Sequence, residues 1–161
     1  MRKNMLVVYY SHSGNTRKIA ELIREQVDGD LYAIEPETAY PVSYDAVVKQ
    51  AKKEIQAGFH PRLKTPAPAV AQYDAVFVGT PNWWSTLAPP IAAFLSEHDF
   101  AGRIVIPFCT HGGGGGGRVE KDLAGLCSGA TVLPGLVLSG DGGAQAAMRI
   151  AAWLKRVTGE K

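Results

Sequence analysis

Five runs of mostly apolar residues recur along the chain, at 5–10 (MLVVYY), 31–34 (LYAI), 75–79 (AVFVG), 104–109 (IVIPFC) and 131–138 (TVLPGLVL). Several are continuously apolar instead of alternating, the pattern of parallel strands covered on both faces. Between them lie stretches with helical periodicity. Ile19, Leu22, Ile23 and Val27 share one face of the first, and Val48, Ala51 and Ile55 share one face of the second. Ile91, Phe94 and Leu95 mark a third, entered through Pro89-Pro90, where proline suits a first helical turn. Val119, Leu123 and Leu126 mark a fourth; Ala147, Ile150, Leu154 and Val157 mark a fifth that stops before Gly159. Alternating strand and helix predicts an α/β domain with a parallel sheet and helices on both faces. Pro107 is an awkward residue for a central strand, because it lacks a ladder donor; a bulge or an early end to pairing is expected there. The stretch 60–71 holds three prolines and reads as a loop inside the domain.

Length and composition narrow the class. With 161 residues and 46% hydrophobic content, 1–161 reads as a single domain with a sizeable core. No run of eighteen apolar residues occurs, and the first apolar run is too short for a secretion signal, so a cytoplasmic, membrane-free protein is expected. A net charge of +2, with dispersed Lys and Arg, argues against nucleic acid as the main ligand. Cys109 and Cys127 are too few and too badly spaced for a zinc site or a CxxC pair. With one ending a strand at the ligand end and the other ending the next helix, which runs back about ten residues at ~1.5 Å each, they are expected at opposite ends of the sheet, too far apart to pair, as free thiols.

In an open parallel sheet, ligands bind at the carboxyl ends of the strands, where strand order reverses. The loops there read SHSGNT at 11–16, TPNWWSTLAPP at 80–90 and THGGGGGGR at 110–118. The first offers hydroxyls from Ser11, Ser13 and Thr16, the Asn15 amide and the N–H groups of a helix start, a set suited to an anion. The same residues also suit simple helix capping. It is no nucleotidase P-loop, since GxxxxGK[ST] is absent. Adjacent Trp83 and Trp84 in the second loop suit either a flat platform for a ring system or plain space filling. In the third, residues 112–117 are all glycine; without Cβ atoms the backbone can approach a planar ligand closely, or merely flex.

Taken together, these segments resemble a known family. The run 9–16 (YYSHSGNT), followed by Ile19-Ala20, looks like the phosphate-loop signature of flavodoxins. GTPNWW at 79–84 and FCTHGG at 108–113 are similar to the second and third loops of a bacterial flavodoxin-like branch, and the likeness spans nearly the whole chain. The resemblance implies a doubly wound five-stranded parallel sheet of order 2-1-3-4-5, bound FMN and a redox function. Carried over by position, it implies that Ser11, His12, Ser13, Gly14, Asn15 and Thr16 surround the phosphate. Thr80, Pro81, Asn82, Trp83, Trp84 and Ser85 would border the ribityl chain and isoalloxazine, and Cys109, Thr110, His111, Gly112, Gly113 and Gly114 the pyrimidine edge. Asn82 departs from the aliphatic residue usual after the loop proline.

The resemblance further implies that the turn after the third strand commonly uses a glycine, at a position that falls on Trp84. A bulky residue there is expected to resist the left-handed backbone. The resemblance implies that many one-electron carriers stabilise the flavin semiquinone by a peptide flip in this turn, so its loss favours an FMN-dependent enzyme taking hydride from NAD(P)H to reduce quinone-like acceptors. A one-electron carrier between redox proteins and a flavin-free regulatory or interaction module are the alternatives. His111 is a candidate to donate a hydrogen bond, or present positive charge, to reduced flavin. No metal and no separate catalytic side chain is expected.

Overall fold

The computed structural model describes residues 4–64 and 67–159. The strands are β1 (Met5–Tyr9), β2 (Asp30–Ala33), β3 (Ala75–Trp83), β4 (Thr86–Leu87), β5 (Ile104–His111), β6 (Thr131–Val132) and β7 (Leu136–Ser139). The helices are α1 (Asn15–Val27), α2 (Tyr44–Ala57), α3 (Pro89–Glu97), α4 (Val119–Leu126) and α5 (Ala146–Thr158). The sheet path runs β2-β1-β3-β5-β6, all parallel, with β7 also parallel to β5 and β4 antiparallel to β3. This is the expected order 2-1-3-4-5, with the fifth strand split in two and a short hairpin added.

Side-chain parity divides the core. Leu6 and Val8 on β1, Val76 and Val78 on β3, and Val105 and Cys109 on β5 face one side, with α3 and α4 over them. Val7, Phe77, Ile106 and Phe108 face the other, under α1 and α5. Both faces of β1 are therefore dry, which explains why MLVVY never alternates.

The split in the edge strand originates at Pro107. Toward β3 the ladder runs through it without interruption, pairing Val78 with Pro107. Toward the edge, Val105 pairs with Val132 but Phe108 pairs with Leu136, so three edge residues oppose two and a bulge forms. Pro107 has no N–H to give that neighbour. Gly135 fills the bulge, and a Cβ there would lie 2.8 Å from the Pro107 carbonyl oxygen.

Some helical faces differ from the periodicity reading. In α2 it is Val47 and Ala51 that are buried, with Val48 and Ile55 half-buried, a rotation of one residue. In α5, Ala146 and Trp153 are buried while Ala147 is exposed; in α4, Leu126 is exposed and Cys127 turns inward. Within the expected loop 60–71, Leu63 bridges to Pro36 and a short turn begins at Val70; Thr65 and Pro66 lie outside the described residues. No described helix is long and apolar enough to cross a membrane.

Candidate functional site

At the carboxyl ends of β1, β3 and β5 lies a cleft of about 470 Å³, within the usual size range of cofactor sites. The first loop enters it through His12, Ser13, Asn15 and Thr16. Helix α1 starts at a Gly14 N-cap with φ 98, and no side chain caps it. The capping alternative is therefore excluded, and the first-turn N–H groups point out of the helix end. Ser11 and Gly14 do not line the cleft. Ser11 Oγ instead accepts from the Gly14 N–H at 3.1 Å and so sets the loop's shape. The neighbouring cations are engaged elsewhere, Arg17 with Glu21 at 3.7 Å and Lys18 with Asp141 at 3.3 Å. The positive potential of this end is therefore chiefly the backbone's.

The second loop is a β-hairpin. Asn82 pairs with Leu87 and Trp83 with Thr86, leaving Trp84 and Ser85 as a two-residue turn. Their φ angles are 55 and 66, the double left-handed geometry of a type I′ turn. The expectation that Trp84 resists a left-handed backbone is thus corrected. Anchors hold it there: its indole Nε1 donates to the Val48 carbonyl at 3.0 Å, and Lys52 Nζ sits 5.2 Å from the ring centroid. Pro81, Asn82, Trp83 and Trp84 line the cleft. Thr80 and Ser85 do not. The Thr80 hydroxyl donates to the Pro81 carbonyl and accepts from the Ala88 N–H, both at 2.9 Å, and so braces the hairpin base. The Ser85 carbonyl accepts from the Arg118 N–H at 2.6 Å.

The third loop contributes Thr110, His111 and Gly112. Thr110 Oγ1 lies 2.7 Å from Thr16 Oγ1, a buried hydroxyl pair joining the first loop to the third. His111 Nδ1 accepts from the Gly113 N–H at 3.0 Å, which leaves Nε2 as the ring's donor. Gly113 and Gly114 lie off the cleft lining. Cys109 does too: it is buried, its Sγ 3.6 Å from the Thr110 carbonyl, and burial pushes its thiol up to about 12. Cys127 is likewise buried, its thiol pushed up to about 11, and both cysteines are free.

Against this geometry, comparison with known proteins is decisive. A family model described as Flavodoxin matches residues 4–157. The chain belongs to the flavodoxin family. Among solved structures, it is similar to a protein of Bacteroides uniformis assigned as a flavoprotein, with 30% identity, TM-score 0.84, and 96% of this chain and 99% of that one covered. A counterpart from Bacteroides eggerthii gives 28% identity and TM-score 0.85, covering 97% and 98%. A flavoprotein of Lactobacillus acidophilus in complex with FMN gives 24% identity and TM-score 0.73, covering 84% and 93%. No curated protein sequence matches significantly.

The remaining wall of the flavodoxin's cleft comes from α2, through Tyr44, Val47, Val48 and Ala51, none of which sequence reasoning singled out for the site. Only the run of small and aliphatic residues at i, i+1 and i+4 hinted at it. Behind Trp83 stands an aromatic cluster: Tyr40 at 5.1 Å, Tyr10 at 5.6 Å and His12 at 6.0 Å between ring centroids, all edge-on. Burial, reinforced by Glu54, holds both tyrosine hydroxyls in their neutral form well above the usual range. Tyr40 donates to Glu54 at 2.5 Å, and His12 Nε2 donates to the Pro41 carbonyl at 2.9 Å. Trp83 is thereby held rigidly, whereas Trp84 remains 47% exposed at the mouth. No group of three or more potential metal ligands occurs among the described residues.

Proposed function

We propose that this flavodoxin holds FMN in the cleft and passes electrons from a reduced donor, NAD(P)H, to a quinone-like acceptor. One observation carries this reading. The cleft has an uncapped helix N-terminus with hydroxyls at one end and indole and tyrosine walls at the other. That polarity matches a ligand with a phosphate on one end and a flat ring on the other. The orphaned carbonyl-type oxygen of Asn82, buried in the cleft wall without a hydrogen-bond partner, fits a ring that carries N–H donors. When bound, FMN supplies a ring that accepts hydride or single electrons.

The chain's own residues divide the remaining work. Ser13, Asn15, Thr16 and the first-turn N–H groups hold the phosphate, while Ser11 and Gly14 fix the loop and His12 ties it to Pro41. Pro81, Asn82, Trp83 and Trp84 flank the ribityl chain and ring, and Thr80 and Ser85 hold their hairpin. Thr110, His111 and Gly112 meet the pyrimidine edge, His111 through its Nε2 donor. Cys109, Gly113 and Gly114 support this loop from outside the cleft.

Two features favour the hydride-accepting enzyme over a one-electron carrier. The turn is committed, since Trp84 is anchored to Val48 and the Ser85 carbonyl to Arg118, which resists redox-linked reorganisation. With a net charge of +2, the surface also lacks the acidic bias that steers carriers to basic partners. The test is reconstitution with FMN, followed by NAD(P)H oxidation with a quinone and no partner protein. Turnover supports the enzyme. Retained FMN without turnover supports the carrier, and failure to bind FMN restores the flavin-free module.

A further inference from the structure

Asn82 joins the hairpin to the glycine loop, and half of its amide is unused. Its Nδ2 donates to the Gly115 carbonyl at 2.6 Å. A carbonyl cannot donate, so this contact fixes which end of the amide is nitrogen. The other end, Oδ1, is the one buried side-chain nitrogen or oxygen among the described residues that has no hydrogen-bond partner. Proteins keep few such groups, because each carries a standing desolvation cost. The hairpin itself does not require an amide here, since the cross-strand partner is Leu87.

We infer that Asn82 Oδ1 is the acceptor for an N–H of the flavin ring, so that this amide fixes the ring against the glycine loop. The inference rests on the FMN reading above. Oδ1 is not exposed to solvent, so a ring reaches it only where a neighbour yields. The glycine loop is suited to yield. Asn82 is tied to it at Gly115, and no atom lies within 4 Å of where a Cβ would stand at Gly112, Gly113, Gly114 or Gly115. Gly113 and Gly115 already hold φ of 138 and 77, open to backbone states that other residues resist. An oxidised flavin ring carries one N–H, at N3, and reduction adds another at N5. Both offer the same chemistry to an amide oxygen, and they are separable by experiment.

The test uses the full chain loaded with ¹⁵N-labelled FMN, read by proton–nitrogen NMR before and after reduction, together with FMN titration. Asn82→Leu is expected to weaken binding about three- to tenfold in each redox state whose ring carries the bonded N–H and to abolish the hydrogen-bonded signature of that N–H. If that donor is N3–H, both redox states lose affinity equally and the midpoint potential stays put. If it is N5–H, only the reduced state is weakened, and a tenfold loss lowers a two-electron potential by about 30 mV. Asn82→Asp keeps an acceptor oxygen but loses the donor to Gly115, so it should retain the ring N–H signature. The inference is overturned if Asn82→Leu leaves every ring N–H unchanged, or if Asn82→Asp loses the signature as Asn82→Leu does. Failure of the unsubstituted protein to bind FMN would overturn the FMN reading itself, which is a separate result.

Discussion

Within the six-glycine run, only some positions require glycine, and substitution separates them. Gly117 has φ 54, and a Cβ there would lie 2.8 Å from both Cα and the carbonyl oxygen of Ser85. Those are backbone atoms of a turn that is itself left-handed and hydrogen-bonded to Arg118, so they cannot swing aside as a flexible side chain would. Gly117→Ala incurs left-handed strain of about 1–2 kcal/mol and an overpacking cost of about 1–3 kcal/mol. Reduced freedom of the unfolded chain offsets about 0.4–1 kcal/mol. The net expectation is destabilisation by roughly 1–5 kcal/mol, lowering Tm by about 2–4 °C per kcal/mol for a chain of this size. Gly114→Ala is the control, because a Cβ there meets nothing within 4 Å and its φ is not left-handed. It should leave stability unchanged or raise it by up to about 1 kcal/mol. Thermal and urea melts of both variants check this. Equal effects at the two positions would refute the packing of the glycine loop onto the hairpin turn.

The buried Thr16–Thr110 hydroxyl pair should behave as a unit. Either single change to Val strands one hydroxyl, at about 1–3 kcal/mol, whereas the double change should cost less than the two single costs combined. A double-mutant cycle in urea measures that coupling, and strict additivity would contradict it. Burial raises both thiols from 9.0, Cys109 to about 12 and Cys127 to about 11. The native state therefore keeps protons that the unfolded chain releases. The stability this confers is complete below pH about 9 and is lost as pH rises toward 11 and 12, by at most about 1.4 kcal/mol per pH unit per thiol. Urea melts from pH 8 to 10.5 should show a shallower decline for the Cys109→Ala/Cys127→Ala double variant than for the unsubstituted chain. Parallel declines would show that the thiols are not titrating as buried groups.

Central elements were legible in the sequence because burial on both faces leaves no ambiguity: MLVVY can hardly be anything but a covered parallel strand. Pro107 likewise announced the ladder's break, though not which neighbour would bear it. Hairpin β3–β4 was not legible, since Trp84-Ser85 carries none of the Asn-Gly chemistry that marks a type I′ turn; tertiary anchors at Val48 and Arg118 impose the turn instead. The α2 wall was missed for a related reason. Val47 and Val48 are adjacent and chemically alike, both border the cleft, and only the seating of the helix on the sheet decides that Val47 also packs into the core while Val48 stays half-buried. Eleven of the eighteen residues assigned to the site from the sequence line the cleft, among them Thr16, Trp83 and His111. Those that do not, such as Thr80 and Ser11, spend their hydroxyls on neighbouring backbone, which no motif reveals.

The central proposal is that the uncapped helix start at Gly14 receives the phosphate of FMN, whose ring lies against Trp83. The most direct measurement is the thermal shift of the flavin-depleted chain with FMN and with riboflavin, which share the ring and differ in the phosphate. At a hundredfold excess over its dissociation constant, FMN should stabilise by about 2.7 kcal/mol, a rise of roughly 5–10 °C for a chain of this size. Riboflavin at the same concentration should do far less. Equal shifts from the two would contradict the account, because the SHSGNT loop would then not be where the phosphate binds.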